Sequence, residues 1–489
     1  MNGTYILLTI LGYFGLLMLV SKFTSRHADN DAFFRGNRKS PWYVVAFGMI
    51  GASLSGVTFV SVPGMVRGID MTYMQTCMGF FVGYLIIAHV LLPLYYKLNL
   101  TTIYSYLGTR IGRYSYKTGA SFFLLSKMIG AAARLYLVCL ILQHYVFDAL
   151  NVPFSVSVIG IVLLIWLYTR KSGIKTIVWT DSFQTFCLLA ALGLILYQVG
   201  SQMNLGIGGM AQAVAESDYS RIFVFDDWAS KQNFFKQFFS GIFITIVMTG
   251  LDQDMMQKNL SCKGLREAQK NMYTYGLSFV PVNFLFLSLG VLLLLLASQN
   301  GLTLPDKSDD ILPFFAAEGR LGFATLVFFT IGIVAAAFSS ADSALTALTT
   351  SFCIDILGVE RSEMKDAEKT RKRVHFFISM VFIGFILLFK AANNDSIIDA
   401  IYTIASYTYG PLLGLFVFGL FTKMRPRDKY VPWVAIASPF ICFAIDRAVY
   451  QATGYQFGYE MLMFNGLLTF VGLTLLSVKI DKDYGNKKC

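Results

Sequence analysis

Long apolar runs separated by short polar connections dominate the pattern of this 489-residue chain. Runs are read near 4–20, 43–66, 71–96, 117–149, 153–169, 175–200 and 234–258, then near 268–297, 322–356, 372–391, 396–421, 430–450 and 461–479. Each is about as long as an α-helix needs to be to cross a hydrocarbon core of roughly 30 Å. The pattern predicts an all-α polytopic membrane protein of about thirteen transmembrane helices. The run 4–20 has neither the basic leader nor the small-residue cleavage site of a signal peptide, so it is read as a helix. Residues 201–233 are polar, then aromatic and acidic around Phe223 to Trp228, which predicts a surface loop with a short interfacial helix. The charged stretch 357–373 is read as a solvated connection.

Two runs depart from a plain apolar pattern. The run 43–66 contains Gly48, Gly51, Ser53, Ser55, Gly56, Thr58 and Ser61, and the run 234–258 is broken by Met248-Thr-Gly-Leu-Asp-Gln-Asp254. Irregular backbone at membrane depth survives only where protein or a water-filled cavity satisfies it. Paired interrupted helices at the head of two five-helix halves predict an inverted repeat, with halves 43–200 and 234–421. Residues 1–42 would then add an N-terminal helix and loop, 201–233 would join the halves, and 422–489 would add two helices and a short tail.

Composition agrees with this class: 55% of residues are hydrophobic and 14% charged, against roughly 25% charged in soluble domains. The net charge of +11 does not call for nucleic acid, because its distribution follows the membrane. Alternate connections hold 30 Lys and Arg residues on one side and 8 on the other. The positive-inside rule makes the rich side cytoplasmic, with the N-terminus outside and the C-terminus inside an inner or plasma membrane. Seven cysteines show no metal spacing, and no disulfide is expected.

The stretch 331–357 holds Ser339, Ser340, Asp342 and Ser343 within a span. A carboxylate there costs roughly 2.5–3.5 kcal/mol even on the lenient insertion scale. Hydroxyls beside it suit a hard cation, since oxygen donors bind such ions. Arg134 is a second costly group, with Lys127 about two turns earlier on the same face. Lys127 could snorkel or pair with an acid. Arg134 could fork a solute carboxylate or pair internally with Asp342 or Asp181.

The segments GASLSGVTF (51–59), GIKTIVWTDSFQ (173–184), TGLDQDMMQKNL (249–260) and AAFSSADS (336–343) resemble the sodium–solute symporter family over nearly the whole chain. The resemblance implies the LeuT-like inverted-repeat fold and symport by alternating access. It implies a sodium ion held by carbonyls of Gly51, Leu54 and Ala336 with hydroxyls of Ser339 and Ser340. Some members bind a second sodium through an Asp matching Asp181, and Ser339, Asp342 and Ser343 match its other side. Two carboxylates there would equally fit one shared proton. Gly51 departs from the Ala common in relatives, which a carbonyl ligand tolerates. Arg134 matches the helix on which sialic-acid carriers read a solute carboxylate. Thr58, Ser61 and Gln75 give a polar lining, with Gln253 as a further solute contact. Val247-Met248-Thr249 replaces the Tyr-Tyr-Trp run of sugar carriers, so a ring-stacking platform is expected to be missing and a carboxylate-bearing solute, of sialic acid or monocarboxylate type, is favoured over a neutral sugar, polyol or amino acid.

An ion channel would want repeated pore loops, which the chain lacks. An enzyme would want a nucleophile–base set, yet His27, His89, His144 and His375 form no ligand pair. No cofactor is expected beyond sodium as coupling ion.

Overall fold

The computed structural model of the protein describes residues 2–24, 30–170, 173–317, 319–359, 367–392, 397–455 and 457–478. Much of the charged connection 357–373 and the tail beyond 478, with several basic residues counted for orientation, lie outside them. Among the described residues eight helices are long and apolar enough to cross a membrane, ten when two bent pairs each count as one span. Three shorter apolar helices, Phe154–Thr169, Gly410–Phe421 and Met461–Leu475, occupy further predicted runs.

In chain order the helices are α1 Asn2–Thr24, α2 Trp42–Ser53, α3 Gly56–Ile69, α4 Tyr73–Lys97, α5 Arg113–Leu142, α6 Phe154–Thr169, α7 Ile174–Gln202 and α8 Phe234–Gly250. After them come α9 Gln253–Leu260, α10 Leu265–Gln299, α11 Phe323–Ser351, α12 Ala367–Ala392, α13 Ile397–Thr408, α14 Gly410–Phe421, α15 Val431–Thr453 and α16 Met461–Leu475. Regular strand is confined, among the described residues, to a two-residue antiparallel pairing of Arg425–Pro426 with Ser477–Val478. The loop 201–233 carries the short helix Ile207–Ala215, and its aromatic end packs on α8, with Trp228 stacked on Phe235 at 5.4 Å.

Both interrupted runs are bent. The axis turns by 56° between α2 and α3 and by 64° between α8 and α9. At the first bend Leu54 and Ser55 leave the helical region, with ψ of 69° and 170°. At the second, a π-turn over Ile246–Gly250 runs into Leu251 and Asp252, where ψ rises to 120°. The freed carbonyls there find donors: Tyr95 donates its hydroxyl to Gly250 O and Tyr104 to Leu251 O, each at 2.9 Å. Asp252 caps α9 by accepting from Asp254 N at 2.9 Å, as an N-terminal aspartate does. A third interruption, at Tyr409 between α13 and α14, was not expected from the run 396–421. Pro411 has no N–H to offer the preceding turn, and Asn465 Nδ2 donates instead to Ser406 O at 3.0 Å and Tyr407 O at 2.9 Å.

The centre of the bundle is α11, whose residues from Gly332 to Ser351 are all buried. Its Ala, Ser, Gly and Thr side chains let neighbouring backbones come close, as small residues do in membrane helix packing. Helices α7, α5, α3 and α1 surround it. The packing of α2 on α7 is closer still. A Cβ on Gly51 would stand 2.1 Å from Thr185 Oγ1, and one on Gly48 would stand 3.0 Å from Asp181 Cβ. Absence of a side chain at 51 lets Thr185 accept from Gly51 N at 3.1 Å. The departure at Gly51 thus has a structural partner on α7.

Gly51→Ala is expected to force α2 off α7 and to lower stability by about 1–3 kcal/mol, the usual cost of overpacking. Thr185→Ala in the same chain should recover part of that loss, because it removes the nearest clashing atom. Thermal unfolding in detergent checks both; a Gly51→Ala protein as stable as wild type would contradict this packing.

Candidate functional site

Bending α2–α3 and α8–α9 opens a cavity between them, completed by α4, α5, α10, α11 and α13. It encloses about 870 Å³ of empty space, its mouth included. One wall is polar: Ser126, Lys127 and Arg134 from α5, Thr249, Asp252 and Asp254 from the second bend, Ser53 from the first and Ser340 from α11. Aromatic rings line the cavity too: Phe80, Tyr84, Tyr275 and Phe279. Tyr84 and Tyr275 pack with ring centroids 4.5 Å apart and share a hydroxyl hydrogen bond of 2.7 Å, and Tyr275 reaches Ser53. The expectation of a missing aromatic platform is therefore corrected. Val247 is buried away from the cavity and Met248 and Thr249 line it, but α4 and α10 supply rings to it.

Three buried carboxylates, Asp252, Asp254 and Asp181, form an ion-pair chain that starts in this cavity. Lys127 Nζ stands 2.6 Å from Asp254 Oδ2 and 3.3 Å from Asp252 Oδ1. Asp252 Oδ2 also accepts from Tyr409 at 2.7 Å. Lys258 Nζ lies 3.6 Å from Asp254 Oδ1, one helical turn along α9, and 2.8 Å from Asp181 Oδ2 on α7. Lys127, which could have snorkelled, is instead an internal counter-ion. Arg134 makes neither of the two internal pairs considered for it. Among the described residues it has no hydrogen bond or ion pair, and its guanidinium lines the cavity.

Polar residues of α11 meet α7 and the first bend. Ser339 donates to Asp181 Oδ1 at 2.7 Å and Ser343 to Asp181 Oδ2 at 3.4 Å. Ser340 reaches Ala52 O at 3.5 Å, beside the break that follows Gly51. Asp342 accepts from Tyr168 at 2.7 Å through Oδ2, while its buried Oδ1 has no hydrogen-bond partner. Gly51, Leu54 and Ala336 are all buried on the elements that meet here, α2, the bend and α11. The arrangement can present carbonyl and hydroxyl oxygens from two helices to a desolvated cation.

Not every predicted solute contact lies in this cavity. Gln75 is fully buried, with its amide donating to Thr72 O and Gln232 O and accepting from Val224 N, so it pins the outer loop. Gln253 is likewise spent, donating to Thr101 O at 2.9 Å and accepting from Ile103 N at 3.0 Å. Both amides are engaged at nitrogen and oxygen by backbone, and neither residue lines the cavity. Thr58 is half-buried on α3, outside the cavity lining, and Ser61 faces a separate, wider space of about 2190 Å³ shared with Lys231, Asp306 and Lys307. Asp252, Asp254, Lys258 and Tyr409 were not anticipated as site residues. The i,i+4 spacing of Asp254 and Lys258, with Lys127 in a span, was a usable signal for two of these charges; nothing in the sequence pointed to Tyr409.

Residues 33–427 match the description "Sodium:solute symporter family". The chain is 25% identical to the sodium/sialic acid symporter SiaT of Proteus mirabilis, over 88% of its own length and 87% of the relative's. It is 25% identical to the sodium/sialic acid symporter NanT of Aliivibrio fischeri, over 86% and 84%. A solved structure of a Na⁺-coupled sialic acid symporter in a substrate-bound, outward-open state superposes with a TM-score of 0.83 at 21% identity, covering 97% of this chain and 98% of that one. With its two bent spans, its buried polar centre on α11 and a family match across most of its length, the chain belongs to the sodium:solute symporter family, whose members are membrane transporters.

Proposed function

We propose that the protein imports a carboxylate-bearing solute of the sialic acid type, driven by sodium, by alternating access across the plasma or inner membrane. The N-terminus lies outside and the C-terminus in the cytoplasm, as the basic connections indicate. Residues 43–200 and 234–421 act as the two inverted repeats, and sodium is the only cofactor-like partner required. The observation that carries the solute assignment is Arg134. Lys127 pairs with Asp252 and Asp254 in the same cavity, whereas the Arg134 guanidinium has no hydrogen-bonded carboxylate among the described residues. A half-buried guanidinium without a hydrogen-bonded carboxylate can be completed by a solute carboxylate with two parallel hydrogen bonds. The rings of Phe80, Tyr84, Tyr275 and Phe279 suit the pyranose face of a sugar acid. The similarity to sialic acid carriers points the same way.

Sodium is assigned to the junction of α11 with the first bend, held by carbonyls of Gly51, Leu54 and Ala336 and hydroxyls of Ser339 and Ser340. Ser339 donates its proton to Asp181, which leaves its lone pairs for the ion. Ser340 touches both this junction and the solute cavity, so the two ligands share a wall.

Replacing both hydroxyls, Ser339→Ala with Ser340→Ala, should weaken apparent sodium affinity at least tenfold, about 1.4 kcal/mol, with little change in helix propensity. Sodium titrations of solute uptake in proteoliposomes measure this. Wild-type uptake that is as strong in choline as in sodium would refute sodium coupling.

Arg134 is tested by binding N-acetylneuraminic acid and its carboxamide to wild type and variants. Wild type should prefer the acid by roughly tenfold or more, a difference of about 1.4 kcal/mol, and Arg134→Gln should lose most of that preference. Arg134→Lys keeps the charge but not the planar fork and should fall between them. Equal preference for the acid in wild type and Arg134→Gln would remove Arg134 from the solute site.

A further inference from the structure

Two helices, α15 and α16, follow the second proposed repeat, and α16 reaches back to the border of the solute cavity. Pro411 has no N–H for the carbonyl of Tyr407, so the kink between α13 and α14 leaves acceptors in a buried place. Asn465 of α16 is fully buried and meets them, Nδ2 donating to Ser406 O at 3.0 Å and to Tyr407 O at 2.9 Å. The amide is oriented from α15, where Ser438 Oγ donates to Asn465 Oδ1 at 2.6 Å. Both amide hydrogens and the amide oxygen are thereby engaged. Little room is left for the side chain to move: a Cβ on Gly410 would stand 2.4 Å from Asn465 Cγ, and one on Gly414 would stand 2.5 Å from Thr469 Cβ. The pinned carbonyls come just before Tyr409. Ile404, Ala405 and Tyr409 line the solute cavity, while Ser406 and Tyr407 line the wider outer space, so this segment borders both. The Tyr409 hydroxyl donates to Asp252 Oδ2 at 2.7 Å, closer than Lys127, which stands 3.3 Å from each oxygen of that carboxylate.

We propose that Asn465 is a positioning residue for solute binding: by pinning the kink it sets the Tyr409 hydroxyl on Asp252 and so fixes the polar lining of the cavity beside Lys127. This rests on the solute reading above. A binding site keeps its geometry only if the residues that form it are themselves held by packing and supporting hydrogen bonds, and here that support comes from a helix outside both proposed repeats. Without the amide, Tyr407 O would have no donor in a buried setting, and the backbone would turn to find one. Tyr409 is two residues further on and would leave Asp252 with it. The pair of Lys127 with Asp254 at 2.6 Å and the hydroxyls of Ser339 and Ser340 lie on α5, α9 and α11, away from the kink. The loss should therefore fall on solute affinity and spare sodium affinity.

The test is a double-mutant cycle on the purified full chain, read as the dissociation constant for N-acetylneuraminic acid in saturating sodium. Tyr409→Phe and Asn465→Asp should each weaken solute binding about tenfold, and the double variant about tenfold as well, because both remove the same contact. Sodium affinity, measured with ²²Na⁺ in the absence of solute, should stay within about twofold of wild type in all three. If Asn465→Asp does not fold, Ser438→Ala takes its place in the cycle; it frees the amide without replacing it and should weaken solute binding about threefold alone and not at all beside Tyr409→Phe. Solute binding by the folded variant equal to that of wild type, or losses that multiply in the double variant, overturns the role given to Asn465. Wild type that binds no N-acetylneuraminic acid overturns the solute reading and this inference with it, whereas multiplying losses leave the solute reading standing.

Discussion

Six charged side chains buried at the centre of the helical bundle, Asp181, Asp252, Asp254, Asp342, Lys127 and Lys258, are the constraint on which the rest of this structure depends. A lone carboxylate or ammonium at that depth would be expelled or neutralised, because removing one from water costs several kcal/mol even after relaxation. The chain meets this cost with a series rather than with isolated pairs. Lys127 bridges Asp252 and Asp254, and Lys258 bridges Asp254 and Asp181. Tyr409 and Ser339 supply hydrogen bonds to the carboxylate oxygens at either end. The series therefore stitches α5, α9 and α7 together across the centre of the fold and joins the solute cavity to the helix that carries the sodium-type hydroxyls.

Broken helices make this arrangement possible. Asp252 could not cap α9 and face Lys127 if the span were a continuous helix, since its backbone must be extended to turn the side chain back on its own N–H groups. Each break frees carbonyls that lipid cannot satisfy. The hydroxyls of Tyr95 and Tyr104 answer the second break, and Asn465 answers the third. The first break lies beside Ser340 and the cavity, where carbonyls are available to an ion. Stability and transport thus draw on the same groups: the residues that let the backbone leave the helix also shape the space into which the solute fits.

Family membership and solute preference rest on different parts of the molecule. The family match spans both bends and α11. In the proposed reading the solute would be read by side chains that line the cavity from α4, α5 and α10, among them Arg134 and four aromatic rings. A sugar acid presents both of the surfaces this cavity offers, a charged fork and an apolar ring face.

Hydrophobic periodicity alone determined that the chain is a helical membrane protein, because runs of this length have no other place to go. Glycines and polar residues clustered in two runs marked both bends before any coordinates, since backbone cannot break in lipid without a local cause. The cost of Asp342 and Arg134 in apolar surroundings singled them out in the same way. The sequence could not say which charge met which. Arg134 was open to Asp181 or Asp342, yet Lys258, at the end of the run 234–258, took Asp181 once the chain bent between α8 and α9. Gln75 and Gln253 looked like solute contacts by residue type, but only the packed structure shows their amides consumed by loop backbone. The break at Tyr409 escaped notice because its freed carbonyl is satisfied by Asn465, nearly sixty residues later in the chain. Such pairings depend on helix rotation and tilt, which periodicity along a single helix does not encode and which only packing against the other helices decides.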